Sequence, residues 1–353
     1  MLDPTVANLQ EQVLAAARGG QSLEIRGSGS KAFYGREPAG QVLSPVVHAG
    51  IIDYQPAELV MTARAGTALA EIRKTLAENG QMLGFDPPMF DSAGTLGGAV
   101  AAALSGPSRP YLGSVQDFVL GCQMLTGEGK VMRFGGKVIK NVAGFDVSRL
   151  MAGSLGCLGV ILEISMKVVP LPKSQKTVAF EQPMGQAIQF MNTIAGRPLP
   201  LTAACWYDGK TRMRFSGSSA GVDAAIAEIG GDLDDSGSNF WDATRDHTYP
   251  FFSQPGRLLK ASVTPATPGF DDETAQLIEW GGARRWAWGQ DSEEAFSTQV
   301  RAHGGHVTVF RGGDRSGEVF PPLDPAVMKI HQRLKTQFDP KRIFNPGRMY
   351  GNL

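Results

Sequence analysis

Residues 135–170 read GGKVIKNVAGFDVSRLMAGSLGCLGVILEISMKVVP, and the interpretation of the whole chain begins with this stretch. Asp146 stands where it can cap a short apolar helix. The apolar run from Val160 to Val169 is long, contains many β-branched residues and stops at Pro170. It therefore predicts a buried strand.

Three glycines, Gly153, Gly156 and Gly159, recur at three-residue intervals between that helix and that strand. Glycine loses more conformational entropy on folding than other residues, so the cluster needs a reason. One reason is a tight structural turn. Another is a phosphate-bearing or flat aromatic ligand that approaches the backbone and binds main-chain N–H groups.

The composition bounds the class of protein. With 353 residues the chain can form two domains, and its 44 glycines exceed the usual share of about 7%, which indicates loops that wrap a ligand. Lys+Arg and Asp+Glu each number 34, so the net charge is zero and no basic stripe favours nucleic acid.

The cysteines and the N-terminus predict a reducing, cytoplasmic setting. Cys122, Cys157 and Cys205 are far apart and form no C-x-x-C pair, so we expect buried thiols and no iron–sulfur or zinc site. Residues 1–20 have one apolar helical face and no signal-peptide pattern, which predicts a helix that packs on the core. No apolar run approaches the ~20 residues of a membrane span.

Two more segments have a backbone suited to a ligand. Residues 26–31 (RGSGSK) follow a predicted strand and form a nest of N–H groups and hydroxyls that suits a pyrophosphate, although the third glycine of a Rossmann fingerprint is missing. Residues 92–103 (SAGTLGGAVAAA) place small residues at a predicted helix start, whose positive dipole end would face negative charge. A close helix–helix crossing would need the same small residues.

The other predicted elements alternate between strands and helices. In the first half they are strand 59–63, helix 68–79, and strands 115–120, 122–125 and 131–134 around a turn at 126–129. After Pro172 a β-α-β-β-α series resembles half of a ferredoxin-like sheet: 177–180, 184–194, 202–207, 211–215 and 220–229. There follow a loop at 230–238, strand 258–263, helix 271–279, strand 285–288, helix 292–302, strand 306–310 and helix 325–338.

Five motifs occur in a fixed order along the chain: RGSGS (26–30), SAGTLGGAVA (92–101), YLGSVQDFVLG (111–121), KNVAGFDVSRLMAGSLGCLGVI (140–161) and IFNPGR (343–348). By these motifs the chain resembles the FAD-linked oxidases and dehydrogenases of the vanillyl-alcohol-oxidase type, and within them the FAD-binding subunits of bacterial glycolate oxidases. The resemblance implies an α+β fold. A two-lobed PCMH-type FAD-binding domain (1–172) would precede a smaller ferredoxin-like cap domain (173–320), and residues 321–353 would return to the FAD domain.

The resemblance also implies which residues hold FAD. The first loop and residues 94–98 would bind the pyrophosphate, the later glycines would line the adenosine and flavin, and Asn345 with Arg348 would close over the isoalloxazine. The full set is Arg26, Gly27, Ser28, Gly29, Ser30, Gly94, Thr95, Leu96, Gly97, Gly98, Gly144, Gly153, Gly156, Gly159, Val160 and Asn345. We expect the FAD to be non-covalent, since residues 26–35 contain neither histidine nor cysteine.

Oxidation of a 2-hydroxy acid would need a cation for the carboxylate, a base for the hydroxyl proton and a positive charge near the flavin. Arg348 is the candidate for the last role, and His306 and Arg311 in HGGHVTVFRGGDR (303–315) are candidates for the others. Catalytic relatives carry H-x-G-x-G-N-x-H, which this chain lacks, so a turn that enters a strand is the alternative. Two histidines alone do not indicate a metal site.

Two functions remain. The chain is an FAD-binding subunit of a multi-subunit glycolate oxidase or dehydrogenase, with a related FAD-linked catalytic subunit and an iron–sulfur subunit as partners. Alternatively, it is a self-sufficient FAD-dependent dehydrogenase of glycolate or D-lactate. The missing histidine motif favours the subunit, which would reach the inner membrane only through its partners.

Overall fold

The computed structural model describes residues 3–90, 94–136, 146–270, 276–289 and 293–353. The chain divides into two compact units. The first comprises Met1–Leu104, Ser114–Pro170 and Asp314–Leu353, and the second comprises Ser105–Gly113 and Leu171–Gly313. The expected domain bounds, 1–172 and 173–320, differ from these units at residues 105–113 and 171–172, which belong to the second unit, and at 314–320, which belong to the first. The functional roles of the two domains stay predictions.

Helices and strands are distributed over both units. The helices are α1 (Pro4–Gly19), α2 (Leu69–Glu78), α3 (Leu96–Ala102), α4 (Arg109–Leu112), α5 (Val115–Phe118), α6 (Val147–Leu150), α7 (Met184–Ala195), α8 (Ser219–Ile229), α9 (Gly237–Asp246), α10 (Glu293–Ala302) and α11 (Pro325–Phe338). No helix within the described ranges is long and apolar enough to cross a bilayer.

The strands are β1 (Leu23–Ile25), β2 (Gln41–Leu43), β3 (Ile51–Gln55), β4 (Val60–Arg64), β5 (Gln81–Leu83), β6 (Val119–Leu125), β7 (Val131–Gly135), β8 (Val160–Pro170), β9 (Ser174–Glu181), β10 (Leu201–Tyr207), β11 (Lys210–Gly217), β12 (Asp232–Leu233), β13 (Arg257–Ser262), β14 (Gln276–Glu279), β15 (Arg284–Gly289) and β16 (His306–Arg311). This mixture of helices and mostly antiparallel strands confirms the α+β class.

Strand β8 is the centre of the first unit. It pairs with β4 on one side and β6 on the other, in the order β3-β4-β8-β6-β7, and its far end pairs with β5. Its two faces lie in different cores, with Ile161, Ile164 and Met166 in one and Val160 and Leu162 in the other. Burial on both faces explains the apolar residues Val160–Leu162, and the half-buried Glu163 and Lys167 interrupt the run further along. The predicted strand is confirmed.

The short helix before β8 is confirmed as well. The Asp146 carboxylate accepts a hydrogen bond from the Arg149 N–H, 3.2 Å away, as an N-cap does. Residues 137–145, with the predicted ligand Gly144, lie outside the described residues.

The predicted strand at 115–120 is wrong in its first half. Val115–Phe118 is a helical turn, and β6 begins at Val119. The reason is a capping box: the Asp117 carboxylate accepts from the Ser114 N–H and hydroxyl, each at 2.8 Å.

The second unit contains an eight-stranded sheet, in the order β12-β9-β11-β10-β14-β15-β13-β16 among the described residues. Helices α7 and α8 contribute Ile188, Met191 and Val222 to its core. Two predictions fail here. Residues 276–279, expected in a helix, form the buried strand β14 between β10 and β15, while 271–275 lie outside the described residues. The expected loop at 230–238 contains β12 and the first residues of α9.

Candidate flavin site

A cavity of about 820 Å³, including its open mouth, lies in the first unit. Its wall comes from the loops that follow β1, β2 and β4, from α3, from the glycine-rich segment before β8 and from the C-terminal segment. Eleven of the residues predicted to bind or act on FAD line it: Arg26, Gly27, Ser28, Gly29, Ser30, Thr95, Gly97, Gly98, Gly156, Gly159 and Arg348. The sequence thus predicted much of this wall.

The loop after β1 presents main-chain donors to the cavity. In the described part of the chain, no hydrogen bond uses the N–H groups of Gly27, Ser28, Gly29 or Ser30. Gly29 has a φ of +83°, which only glycine adopts readily and which turns the loop back on itself. Four consecutive N–H groups without a protein acceptor suit an anion such as a pyrophosphate.

Arg26 contributes less positive charge than expected. Its guanidinium forms two hydrogen bonds with the Glu24 carboxylate, at 2.8 and 2.5 Å, and this partner raises the pKa of Arg26. The pair largely neutralises itself. Lys31 also lines the cavity, with its ammonium 5.4 Å from the centre of the Phe90 ring.

Arg348 links the C-terminal segment to the same loop. Its Nη2 donates to the Tyr34 carbonyl at 2.9 Å, and its own carbonyl accepts from the Arg36 N–H. Its Nε is buried and has no hydrogen-bond partner among the described residues. Burial lowers the pKa of Arg348, and an electron-rich ligand group in the cavity would satisfy the remaining donor.

The start of α3 is tied to the protein itself. The Leu96 N–H donates to Thr67, the Gly97 N–H to Ala65 and the Gly98 N–H to the Thr95 hydroxyl. The first turn therefore offers the ligand small side chains in place of the expected free donors. A Cβ on Gly97 would lie 2.7 Å from the Cβ of Ala65, so the close neighbour is the loop after β4 and no second helix.

The segment before β8 and the C-terminal segment interlock behind the cavity. Asn345 accepts from the Ile25 N–H at 2.8 Å and donates to the Leu155 carbonyl at 2.6 Å. A Cβ on Gly156, whose φ is +73°, would lie 2.7 Å from the Asn345 side-chain nitrogen. Asn345 is 1% exposed and does not line the cavity, so its contacts position the wall.

Four other predicted residues lie outside the described wall. Leu96 and Val160 are core residues, and a Cβ on Gly94 would contact Leu69 and the Met89 carbonyl. The Gly153 N–H bonds to the Val100 carbonyl. The sequence analysis did not predict Pro45, Val46, Ala65 and Gly66, although Gly66, three residues after the predicted strand 59–63, was an available signal.

The residues of HGGHVTVFRGGDR are divided between the two units. Exposed His306 and half-buried Arg311 are on β16 in the second unit, and the Arg311 Nη2 donates to the Phe252 carbonyl. Arg315 belongs to the first unit, where its Nη1 donates to Ala32 at 2.9 Å and Gly35 at 3.1 Å. It holds the first loop. The ring's partial desolvation and the charge of Lys260 lower the pKa of His306.

The predicted thiols are confirmed. Cys122, Cys157 and Cys205 are free and buried. Burial raises the pKa of Cys122 to about 12 and of Cys157 to about 11, so neither is a thiolate near neutral pH. Within the described ranges, no group of three or more His, Cys, Asp or Glu side chains could hold a metal ion.

Comparison of this chain with known proteins identifies its class. An FAD-binding-domain family model matches residues 4–135. The solved structure of an alkyldihydroxyacetonephosphate synthase shares the fold, with a TM-score of 0.67 over 96% of this chain and 74% of that one at 15% identity. The chain is a flavoprotein that binds FAD.

Two curated relatives narrow the class. The chain is 45% identical over 345 residues to the glycolate oxidase subunit GlcE of Escherichia coli, covering 98% of this chain and 97% of that protein. It is 30% identical over 181 residues to the glycolate oxidase subunit GlcD of Bacillus subtilis, covering 50% of this chain and 38% of that one. The chain belongs to the glycolate oxidase subunit GlcE family.

The residues present fit FAD. The N–H groups of 27–30 would hold the pyrophosphate, the buried Nε of Arg348 supplies a donor, and the glycines and alanines of the wall leave room for flat rings.

Proposed function

We propose that this chain is the FAD-binding subunit of a multi-subunit glycolate oxidase or dehydrogenase, which oxidises 2-hydroxy acids such as glycolate or D-lactate to 2-oxo acids. The observation that carries the proposal is the 45% identity to GlcE along 98% of the chain. The cavity in the first unit supports it, because its wall offers an anionic ligand the four N–H groups of residues 27–30 and the buried Nε of Arg348.

Bound FAD would supply a two-electron acceptor for the hydride on the carbon that bears the hydroxyl group, and the hydroxyl proton would need a protein base. In the described first unit, no histidine lines the cavity, and the described wall residues offer Glu24 and Lys31 as titratable groups besides arginines. Glu24 is paired with Arg26. This supports a division of labour in which a related FAD-linked subunit oxidises the substrate.

The proposed partners are therefore a GlcD-like flavoprotein and an iron–sulfur subunit that receives the electrons. The three cysteines are buried and far apart in sequence, which supports placing any cluster on another subunit. We further propose a cytoplasmic location, peripheral at the inner membrane through these partners.

Anaerobic titration of the purified, FAD-loaded chain tests the proposal. Glycolate or D-lactate should leave the flavin absorbance of the isolated chain unchanged, whereas the reassembled complex should turn over. Bleaching of the isolated chain at the turnover rate of the complex would overturn the subunit role in favour of a self-sufficient dehydrogenase.

His306→Ala in the reassembled complex gives a second test. Turnover should stay near that of the unchanged complex, because this ring is exposed and lies on β16 of the second unit. A loss of about 100-fold, as expected for a general base, with normal FAD content and assembly, would place catalysis on this subunit.

A further inference from the structure

A short segment after β16 contacts the loop that follows β1. This segment, 314–320, is where the chain re-enters the first unit. The Nη1 of its Arg315 donates to the carbonyl of Ala32 at 2.9 Å and to that of Gly35 at 3.1 Å. Arg315 does not itself line the described cavity. Any effect of this arginine on a bound ligand must therefore pass through the loop.

A local turn fixes the backbone on both sides of Arg315. The Asp314 carboxylate accepts from the N–H of Ser316 at 2.8 Å and from its hydroxyl at 2.9 Å, as in an Asx turn. The Arg315 carbonyl in turn accepts from the Glu37 N–H at 3.3 Å. Arg315 is thus bonded to the loop region by its main chain as well as by its guanidinium.

Two more side chains of the 314–320 segment contact the same region. The Glu318 carboxylate accepts from the Arg36 Nη1 at 2.9 Å, and the Phe320 ring meets the Tyr34 ring edge to face with 5.4 Å between centres. Glu318 is largely exposed, and exposed ion pairs contribute little to stability. Hydrogen bonds from a charged donor are stronger, so we take the Arg315 guanidinium as the main link.

Hydrogen bonds inside the loop extend this link to the ligand side. The Ala32 N–H donates to the Gly29 carbonyl at 2.9 Å, and the Tyr34 N–H donates to the Lys31 carbonyl at 3.1 Å, which makes two successive turns. Ala32 therefore accepts from Arg315 with its carbonyl and donates to Gly29 with its N–H. Gly29 is one of the residues 27–30 that present their N–H groups to the cavity. One continuous set of hydrogen bonds leads from Arg315 to these donors.

Fixing the loop in advance favours binding of an anion. A loop that became ordered only around the ligand would lose conformational entropy at that moment, and this loss would weaken the affinity. Arg348 also bonds to the loop, at the Tyr34 carbonyl, but it lines the cavity and can contact a ligand directly. Arg315 differs because its contacts with the loop are to the side of the carbonyls.

We propose that Arg315 is a positioning residue for FAD. By holding the carbonyls of Ala32 and Gly35, it keeps the N–H groups of residues 27–30 arranged for the pyrophosphate before FAD binds. The proposal concerns cofactor binding, so it depends neither on which acid is oxidised nor on which subunit oxidises it.

Calorimetric titration of the full-length, FAD-stripped chain with FAD tests the proposal. Arg315→Gln should weaken FAD binding about tenfold or more, because it removes a charged donor from two carbonyls. Arg315→Lys keeps a charged donor and should restore most of the affinity. Arg342→Gln is the matched control and should bind FAD as the unchanged chain does. Arg342 also donates to a carbonyl, that of Asn352 at 3.1 Å, and does not line the described cavity.

Two results of this titration would overturn the proposal. One is equal FAD affinity of the Arg315→Gln and Arg342→Gln chains. The other is an Arg315→Lys chain that binds FAD no more tightly than Arg315→Gln, since a charged donor at this position would then have no effect on the loop.

Hydrogen exchange of the stripped chains separates positioning from a general loss of stability. In Arg315→Gln the N–H groups of Ala32 and Tyr34 should exchange faster than in the unchanged chain, while those of β8 keep their protection. Unchanged exchange in the loop would overturn the proposal. So would an equal loss of protection in β8, because weaker FAD binding would then reflect the whole first unit. Neither measurement involves turnover, so the result stands apart from the proposed glycolate oxidation.

Discussion

Gly97 and Gly156 stand in the cavity wall, and protein neighbours require both to be glycine. Ala65 fills the space where a Gly97 side chain would point, and Asn345 does so at Gly156. Space for a ligand is therefore one reason for glycine at these positions, and close protein neighbours are the other. Their other side holds together the segments that shape the cavity.

Gly97→Val and Gly156→Val should therefore each abolish FAD retention while the chain stays folded. The new side chain displaces Ala65 or Asn345, and such overpacking costs about 1–3 kcal/mol. The FAD-to-protein ratio after purification measures the effect, and Gly185→Ala, where a Cβ meets nothing within 4 Å, is the control. Normal FAD content in either valine variant would show that the wall tolerates the shift.

Lys260 predicts a pH dependence of stability. Its pKa is about 7 in the folded chain against an ordinary value of 10.5. Between these values the unfolded chain binds more protons, so this residue makes the free energy of unfolding rise as pH rises from about 7 towards 10.5. Urea unfolding across this range should give a flatter profile of stability against pH for Lys260→Met. Parallel profiles for the variant and the unchanged chain would contradict this prediction. The control is Lys176→Met, at an exposed lysine paired with Asp223, which should keep the rise of the free energy of unfolding with pH.

At the scale of elements, α11 is held in place by one buried ion pair. The Lys335 ammonium donates to the Asp339 carboxylate at 2.8 Å and to the carbonyls of Cys157 at 2.8 Å and Phe344 at 2.6 Å. The Asp339 carboxylate also accepts from the Ile343 and Phe344 N–H groups. This pair joins the helix to the glycine-rich segment before β8 and to the last residues of the chain.

Lys335→Met should lower the free energy of unfolding by about 3–5 kcal/mol, because it leaves the buried Asp339 carboxylate without its cation. The matched control is Lys329→Met on the exposed face of the same helix, expected to change stability by no more than about 0.5 kcal/mol. Urea denaturation of both variants measures the difference. Similar midpoints for the two would mean that the pair contributes little.

At the scale of the whole molecule, the chain leaves the first unit, forms the second and returns. Leu23 bridges Phe344, and Arg348 and Arg315 both bond to the loop after β1. The last forty residues, Asp314–Leu353, thus complete a cavity that begins within the first thirty-five. Loss of the C-terminal segment would remove both the anchors of the first loop and the buried Nε donor.

The composition of the described part of the wall predicts non-covalent FAD. The described residues that line the cavity include no histidine, cysteine or tyrosine that could form a bond to the flavin. Acid precipitation should therefore release yellow cofactor into the supernatant, and added FAD should raise the melting temperature of the stripped chain by mass action. Colour that stays in the pellet would contradict this. A chain denatured by urea and filtered gives an independent control for trapped cofactor.

The sequence by itself determined the local features of the structure, which depend on residues close together along the chain. The apolar run of β8 and the Asp146 cap have local causes, and the glycine-rich loops could be matched to a family by their order. The local pattern gave the wrong element at Val115–Phe118, where a capping box stabilises a helical turn, and at Gln276–Glu279, which forms a strand between β10 and β15.

Only the tertiary structure decided which distant residues meet. It assigned Arg315 to the first unit and His306 and Arg311 to the second, joined Asn345 to Gly156, and brought Arg109 and Arg284 together around Trp280. It also showed that Arg26 is paired with Glu24 and that the first turn of α3 has no free donors. These outcomes depend on strand pairing and hydrogen-bond partners across the fold, and no local pattern of residue types encodes them.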